Sequence, residues 1–116
     1  MQKIFIIHGW TYTTDKWNQV VGRLQSSGFE PVLLHVPGLT ETTEKALTLD
    51  DYVEWLNGKL ENENKLIIIG HSNGGRISLA FANKYPEKIN HLILIDSAGI
   101  RHKNFTRKFK RFFAIN

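Results

Sequence analysis

Gly70-His71-Ser72-Asn73-Gly74-Gly75 is the segment with the clearest chemical content in this chain. It follows the apolar run Leu66-Ile67-Ile68-Ile69 and opens a helix-like stretch that reaches Lys84. A Gly-x-Ser-x-Gly set between a strand and a helix forms a nucleophile elbow. Such a turn is tight enough to strain the serine backbone and leave its Oγ exposed. Ser72 is therefore the candidate nucleophile, and Gly70 and Gly74 are the elbow glycines, where a Cβ would strike a neighbouring strand or helix. A serine hydroxyl attacks a carbonyl only when a base accepts its proton, and the oxyanion that forms needs preorganised N–H donors.

The elements that would position this turn alternate along the chain. Strands are expected at about 3–8, 30–36, 65–69 and 92–95, each a nearly continuous apolar run. Such runs are buried on both faces, as in a parallel sheet covered by helices. Trp17, Val20, Val21 and Leu24 recur at i, i+3, i+4 and i+7 and predict a helix capped by Thr14. Thr48 and Asp51 have capping-box spacing ahead of the stripe Leu49, Tyr52, Val53, Leu56 and Leu60. Tyr85-Pro86 ends the third helix, because proline disfavours helical backbone at the residue before it.

Composition narrows the setting. A chain of 116 residues with 41% hydrophobic and 22% charged residues suits one globular domain. The formal charge of +4 is uneven: all 11 acidic residues precede position 100, and six of the 15 basic ones lie at 101–111. The first 100 residues thus carry −2 and the tail +6, which gives nucleic-acid binding by the body little support. No apolar run approaches the roughly 20 residues of a membrane span. Met1 leads almost directly into a strand, so no signal peptide is expected and the predicted location is cytoplasmic. The chain has no cysteine, and its scattered histidines lack metal-ligand spacing, so neither a metal nor an organic cofactor is expected.

Five segments, in order, resemble the α/β-hydrolase fold superfamily: Ile6-Ile7-His8-Gly9-Trp10, Pro37-Gly38, the elbow, Asn83 to Ile89 with Tyr85-Pro86 at its centre, and Leu92 to Asp96. The resemblance covers about residues 1–100. It implies a partial fold of the α/β class: a parallel four-stranded sheet, order 2-1-3-4, with helices on both faces, plus a basic C-terminal helix over 101–116. The backbone N–H groups of Asn73 and Trp10 would form the oxyanion hole. His8 and Gly9 would shape the oxyanion loop, with His8 fixing that loop rather than moving protons.

The triad would run serine, acid, histidine, and by the resemblance the strands that carry the last two are expected to lie beyond this sequence. Asp96, at a strand end on the catalytic side, is the candidate acid. The alternative, given more weight, is that it caps the following turn through the Ser97 and Ala98 N–H groups. His91 is expected at the wrong end of its strand, and His102 in the basic tail. His71 is expected to pack beneath the loop, and His35 at a strand rim.

The implied activity is hydrolysis of a small-molecule ester through a Ser72 acyl-enzyme, with amide or carbon–carbon cleavage within the family's range. The alternative is a non-catalytic binding module that keeps the pocket. In the tail, Phe105, Phe109, Phe112 and Phe113 share one helical face, read as the start of a truncated cap in preference to a membrane-surface helix. An unpaired edge at the fourth strand predicts self-association or pairing with a complementing C-terminal half.

Overall fold

The computed structural model describes residues 1–11, 13–39, 43 and 45–98, and the backbone of Phe113–Ile115. The elements in chain order are β1 (Gln2–Ile7), a 3-10 turn (Asp15–Trp17), α1 (Asn18–Ser26), β2 (Phe29–Leu34), α2 (Leu49–Lys59), β3 (Leu66–His71), α3 (Asn73–Lys84), a second 3-10 turn (Pro86–Lys88), β4 (Ile89–Ile95) and β5 (Phe113–Ile115). All pairings are parallel, in the order β2-β1-β3-β4-β5. The chain steps outward from β1 to β2, then jumps back over β1 to β3. This reversal makes a switch point at the C-terminal ends of β1 and β3, the position where open α/β sheets bind ligands.

Right-handed crossovers in opposite directions put helices on opposite faces of the sheet. On one face, Phe5, Ile7, Ile68, Leu92 and Leu94 pack under Val53, Leu56 and Leu60 of the α2 segment and Ile77, Phe81 and Ala82 of α3. The alternate residues Ile4, Ile6 and Ile69 face Trp17, Val21 and Leu24 from the α1 side. Among the described residues a single helix covers that second face, and Ile67, Ile93 and Ile95 are only half-buried.

The capping box at α2 forms as expected. Asp51 N–H donates to Thr48 Oγ1 at 3.1 Å, and Thr48 N–H donates to Asp51 Oδ2 at 2.9 Å. Thr14 makes no side-chain cap, because a 3-10 turn intervenes before α1. Strand β2 is half-buried rather than fully buried, since it is an edge strand with one neighbour. Strand β4 begins three residues earlier than its apolar run, at Ile89.

The C-terminal tail departs from expectation where it is described. Phe113–Ile115 is a strand, paired to Ile93, Leu94 and Ile95, rather than the end of a helix. The last three residues of the β4 edge are therefore occupied. The rest of the expected basic helix, residues 101–112 and 116, lies outside the described residues, as does His102. No helix among the described residues is long and apolar enough to cross a membrane.

Candidate functional site

Strand β3 ends at His71 and α3 begins at Asn73, so Ser72 alone makes the turn. Its backbone sits at φ 53°, ψ −118°, outside the regions an L-residue prefers. Four hydrogen bonds hold it there. Ser72 N–H donates to the Ile95 carbonyl at 3.1 Å. The Ser72 carbonyl accepts from Gly75 N–H at 3.0 Å, Arg76 N–H at 3.2 Å and Ala98 N–H at 3.1 Å. The surroundings over-determine a conformation that is otherwise worth about 1–3 kcal/mol of strain.

The glycines show why the turn admits no side chains beside the serine. A Cβ on Gly70 would lie 2.7 Å from Ser78 Oγ and 2.8 Å from Gly75 Cα, inside α3. A Cβ on Gly74 would run into the carbonyl oxygens of Ile7 and His8, where β1 ends. Gly75, which the motif spacing did not single out, gives room to Ser97 after β4. The loop after β1 presses on the turn as well, since a Cβ on Gly9 would stand 2.9 Å from Ser72 Cβ.

This apposition sets Gly9, which precedes Trp10, against Ser72, which precedes Asn73. Asn73 is the first residue of α3 and has no intrahelical acceptor for its N–H. Among the described residues neither the Asn73 nor the Trp10 N–H has a hydrogen-bond partner.

His8 is wholly buried and holds the Gly9 loop. Val36 N–H donates to its Nε2 at 3.1 Å, so the ring proton resides on Nδ1, which donates to the Gly9 carbonyl at 2.9 Å. Burial, opposed in part by that bond to Gly9, pushes its pKa below the ordinary 6.5. As pH falls through about 6.5, the unfolded chain takes up this proton before the native state does. The His8 contribution to stability is therefore complete above about pH 6.5 and declines as the solution is acidified towards the lowered native pKa. The slope is at most about 1.4 kcal/mol per pH unit. Urea melts of the wild type and His8→Gln at about pH 7.5 and about pH 5.5 measure it. The wild type should lose more stability between the two pH values than the variant, and equal losses would contradict the assignment.

The remaining histidines are dispersed. The His71 ring points to the α1 face, under Gly9, and meets the Trp17 ring edge-on at 5.8 Å. His35 is exposed just beyond β2. His91 is exposed near the start of β4, beside Ile67, at the end of the strand away from Ser72. Among the described residues no histidine hydrogen-bonds to Ser72. Asp96 is exposed at the end of β4 with φ 45°. It does not cap the turn through Ala98, whose N–H is taken by the Ser72 carbonyl. Among the described residues no group of three His, Asp or Glu side chains could hold a metal.

A cavity of about 310 Å³ opens beside the elbow on the α1 face. Gly9, Trp10, Trp17, Val20, His71 and Ile95 form most of its wall. The helical periodicity assigned Val20 to the buried stripe of α1, but it is exposed at the mouth of this cavity. Only the position of the helix over the sheet could have revealed that.

A three-layer parallel sheet with a strained serine at its switch point defines a class of hydrolytic fold. Residues 3–116 match the α/β hydrolase fold family, and the chain belongs to it. A chloroplastic protein of Arabidopsis thaliana, named as a candidate methylesterase 14, is 34% identical over 103 residues, which are 82% of this chain and 29% of that protein. The 1-acylglycerol-3-phosphate O-acyltransferase of the same plant is 45% identical over 60 residues, 52% of this chain and 14% of that protein. Among solved structures, the N-formylmaleamic acid deformylase of Pseudomonas putida S16 superposes with a TM-score of 0.73 at 26% identity, covering 83% of this chain and 38% of that one. The chain thus spans less than a third of the length of these two curated relatives.

Proposed function

We propose that the protein is a serine hydrolase of carboxylic esters that works through a Ser72 acyl-enzyme. Ser72 Oγ attacks the ester carbonyl as a base takes its proton, and the base hands that proton to the alcohol oxygen when the C–O bond breaks. Water then takes the acyl group, giving a proton back to Oγ through the same base. The N–H groups of Asn73 and Trp10 receive the oxyanion, and each such donor is worth roughly 2.7–4 kcal/mol in the transition state. The observation that carries this reading is the strained Ser72 held against the Gly9 loop, with the Asn73 and Trp10 N–H groups unpartnered among the described residues. The chemistry named for the relatives, on esters, acyl groups and a formyl amide, is acyl transfer throughout. Asp96 is the acid available to orient a histidine base.

The dispersal of the described histidines favours a second reading, a binding module that keeps the pocket without turnover. Covalent labelling separates the two. An oxyanion hole alone retains part of the rate enhancement when triad members are missing. The chain should therefore acquire a fluorophosphonate adduct mapped to Ser72 by peptide mass spectrometry, and Ser72→Ala should acquire none. Equal labelling of both proteins would overturn the catalytic reading and leave the binding module.

A further inference from the structure

We propose that the cavity between Trp10, Trp17 and Val20 is a subsite for amphiphilic anions, with Lys16 as the group that selects the charged end. The inference rests on the ester-hydrolase reading for its placement beside the nucleophile, and it names the substrate class: an acyl or alkyl group that ends in a carboxylate or phosphate.

Three observations converge on it. The wall is chiefly apolar, and two of its members, Trp10 and Val20, are 75% and 36% exposed, hydrophobic surface left open to water at one place. Ligand sites combine such walls with a few polar groups that fix orientation. Among the described residues the lining holds no carboxylate, and Lys16 is its one Lys or Arg side chain. Among the described residues Lys16 makes no ion pair. The two threonines at the mouth are committed locally. Thr11 Oγ1 donates to the Thr13 carbonyl at 2.7 Å and accepts from Thr13 N–H at 3.2 Å. Thr13 Oγ1 accepts from Asp15 N–H at 3.2 Å. Lys16 is left as the cationic group for a ligand. Gly9 and His71 join this cavity to Ser72, so a ligand lying in it has its far end near the elbow.

Trp10 and Trp17 line the site, whereas Trp55 packs on the α2 side of the sheet, so tryptophan fluorescence reports occupancy. Octanoate and octyl phosphate should give saturable changes, and octanol should bind about tenfold more weakly, about 1.4 kcal/mol. Which of the two anions binds more tightly identifies the preferred end group. Lys16→Met should weaken both anions about tenfold and leave octanol unchanged. Val20→Glu should abolish anion binding. Both positions are exposed, so neither variant threatens the fold. Saturable binding that Lys16→Met leaves intact, or no saturable change with any probe, would overturn the proposal. Ser72→Ala should bind as the wild type does. Labelling failure with binding intact would therefore remove the nucleophile assignment alone, and the reverse would remove the subsite alone.

Discussion

Gly74→Ala should cost the protein at least about 3 kcal/mol of stability, the upper end for overpacking and a large share of a typical domain's total. Helix propensity predicts the opposite sign. Gly74 is the second residue of α3, and alanine is better than glycine inside a helix by up to about 1 kcal/mol. Sterics win because the obstacle is backbone. The added Cβ would meet the carbonyl oxygens of Ile7 and His8, residues with no exposed surface, at the end of a strand paired on both sides. Neither α3 nor β1 can retreat without opening the sheet. Gly22→Ala is the matched control, since a Cβ there meets nothing within 4 Å in the middle of α1. It should gain up to about 1 kcal/mol. Urea denaturation followed by circular dichroism compares the two. A Gly74→Ala protein as stable as the wild type would mean that α3 does not approach β1 this closely.

Ser72→Gly should abolish fluorophosphonate labelling and at the same time stabilise the fold by about 1–3 kcal/mol. The Ser72 φ of 53° with ψ of −118° is costly for any residue with a Cβ and cheap for glycine. Ser72→Ala loses the hydroxyl but keeps the Cβ, so it should remain within a few tenths of a kcal/mol of the wild type. The difference between the two variants isolates the backbone strain from the lost side chain. If glycine proved no more stable than alanine in thermal melts, the turn would not be strained as described. Active sites commonly hold such strain, and relieving it commonly stabilises a protein at the expense of activity.

The elbow and the α2 cap were legible in the sequence because each depends on neighbours along the chain, whereas the strand order followed from the family resemblance. Thr48 and Asp51 need only each other, and Gly70 and Gly74 flag their own turn. His8 was legible as a loop-fixing residue, although its partner Val36 lies 28 positions away and only the fold supplies it. Features set by distant packing were not legible. Val20 fits the helical period, yet it clears the sheet and opens onto the cavity. The half-buried state of β2 follows from its place at an edge. Phe113 matched a helical spacing, but sheet pairing with Ile93 places it in a strand. Gly75 looked like a bystander until Ser97 came to rest against it. Lys16 and Trp17 gave no chemical signal, because what distinguishes them is a shared wall rather than a motif.

The Ser72 main chain is tied to β4 and the turn after it, through Ile95 and Ala98. A ribosome delivers residues in order, so the six-letter motif is complete well before those partners exist. A nascent chain that has exposed only the first 90 or so residues carries the serine turn with two of its four hydrogen bonds, those from Gly75 and Arg76. The strained geometry of Ser72 is thus completed only when the fourth strand docks beside the turn.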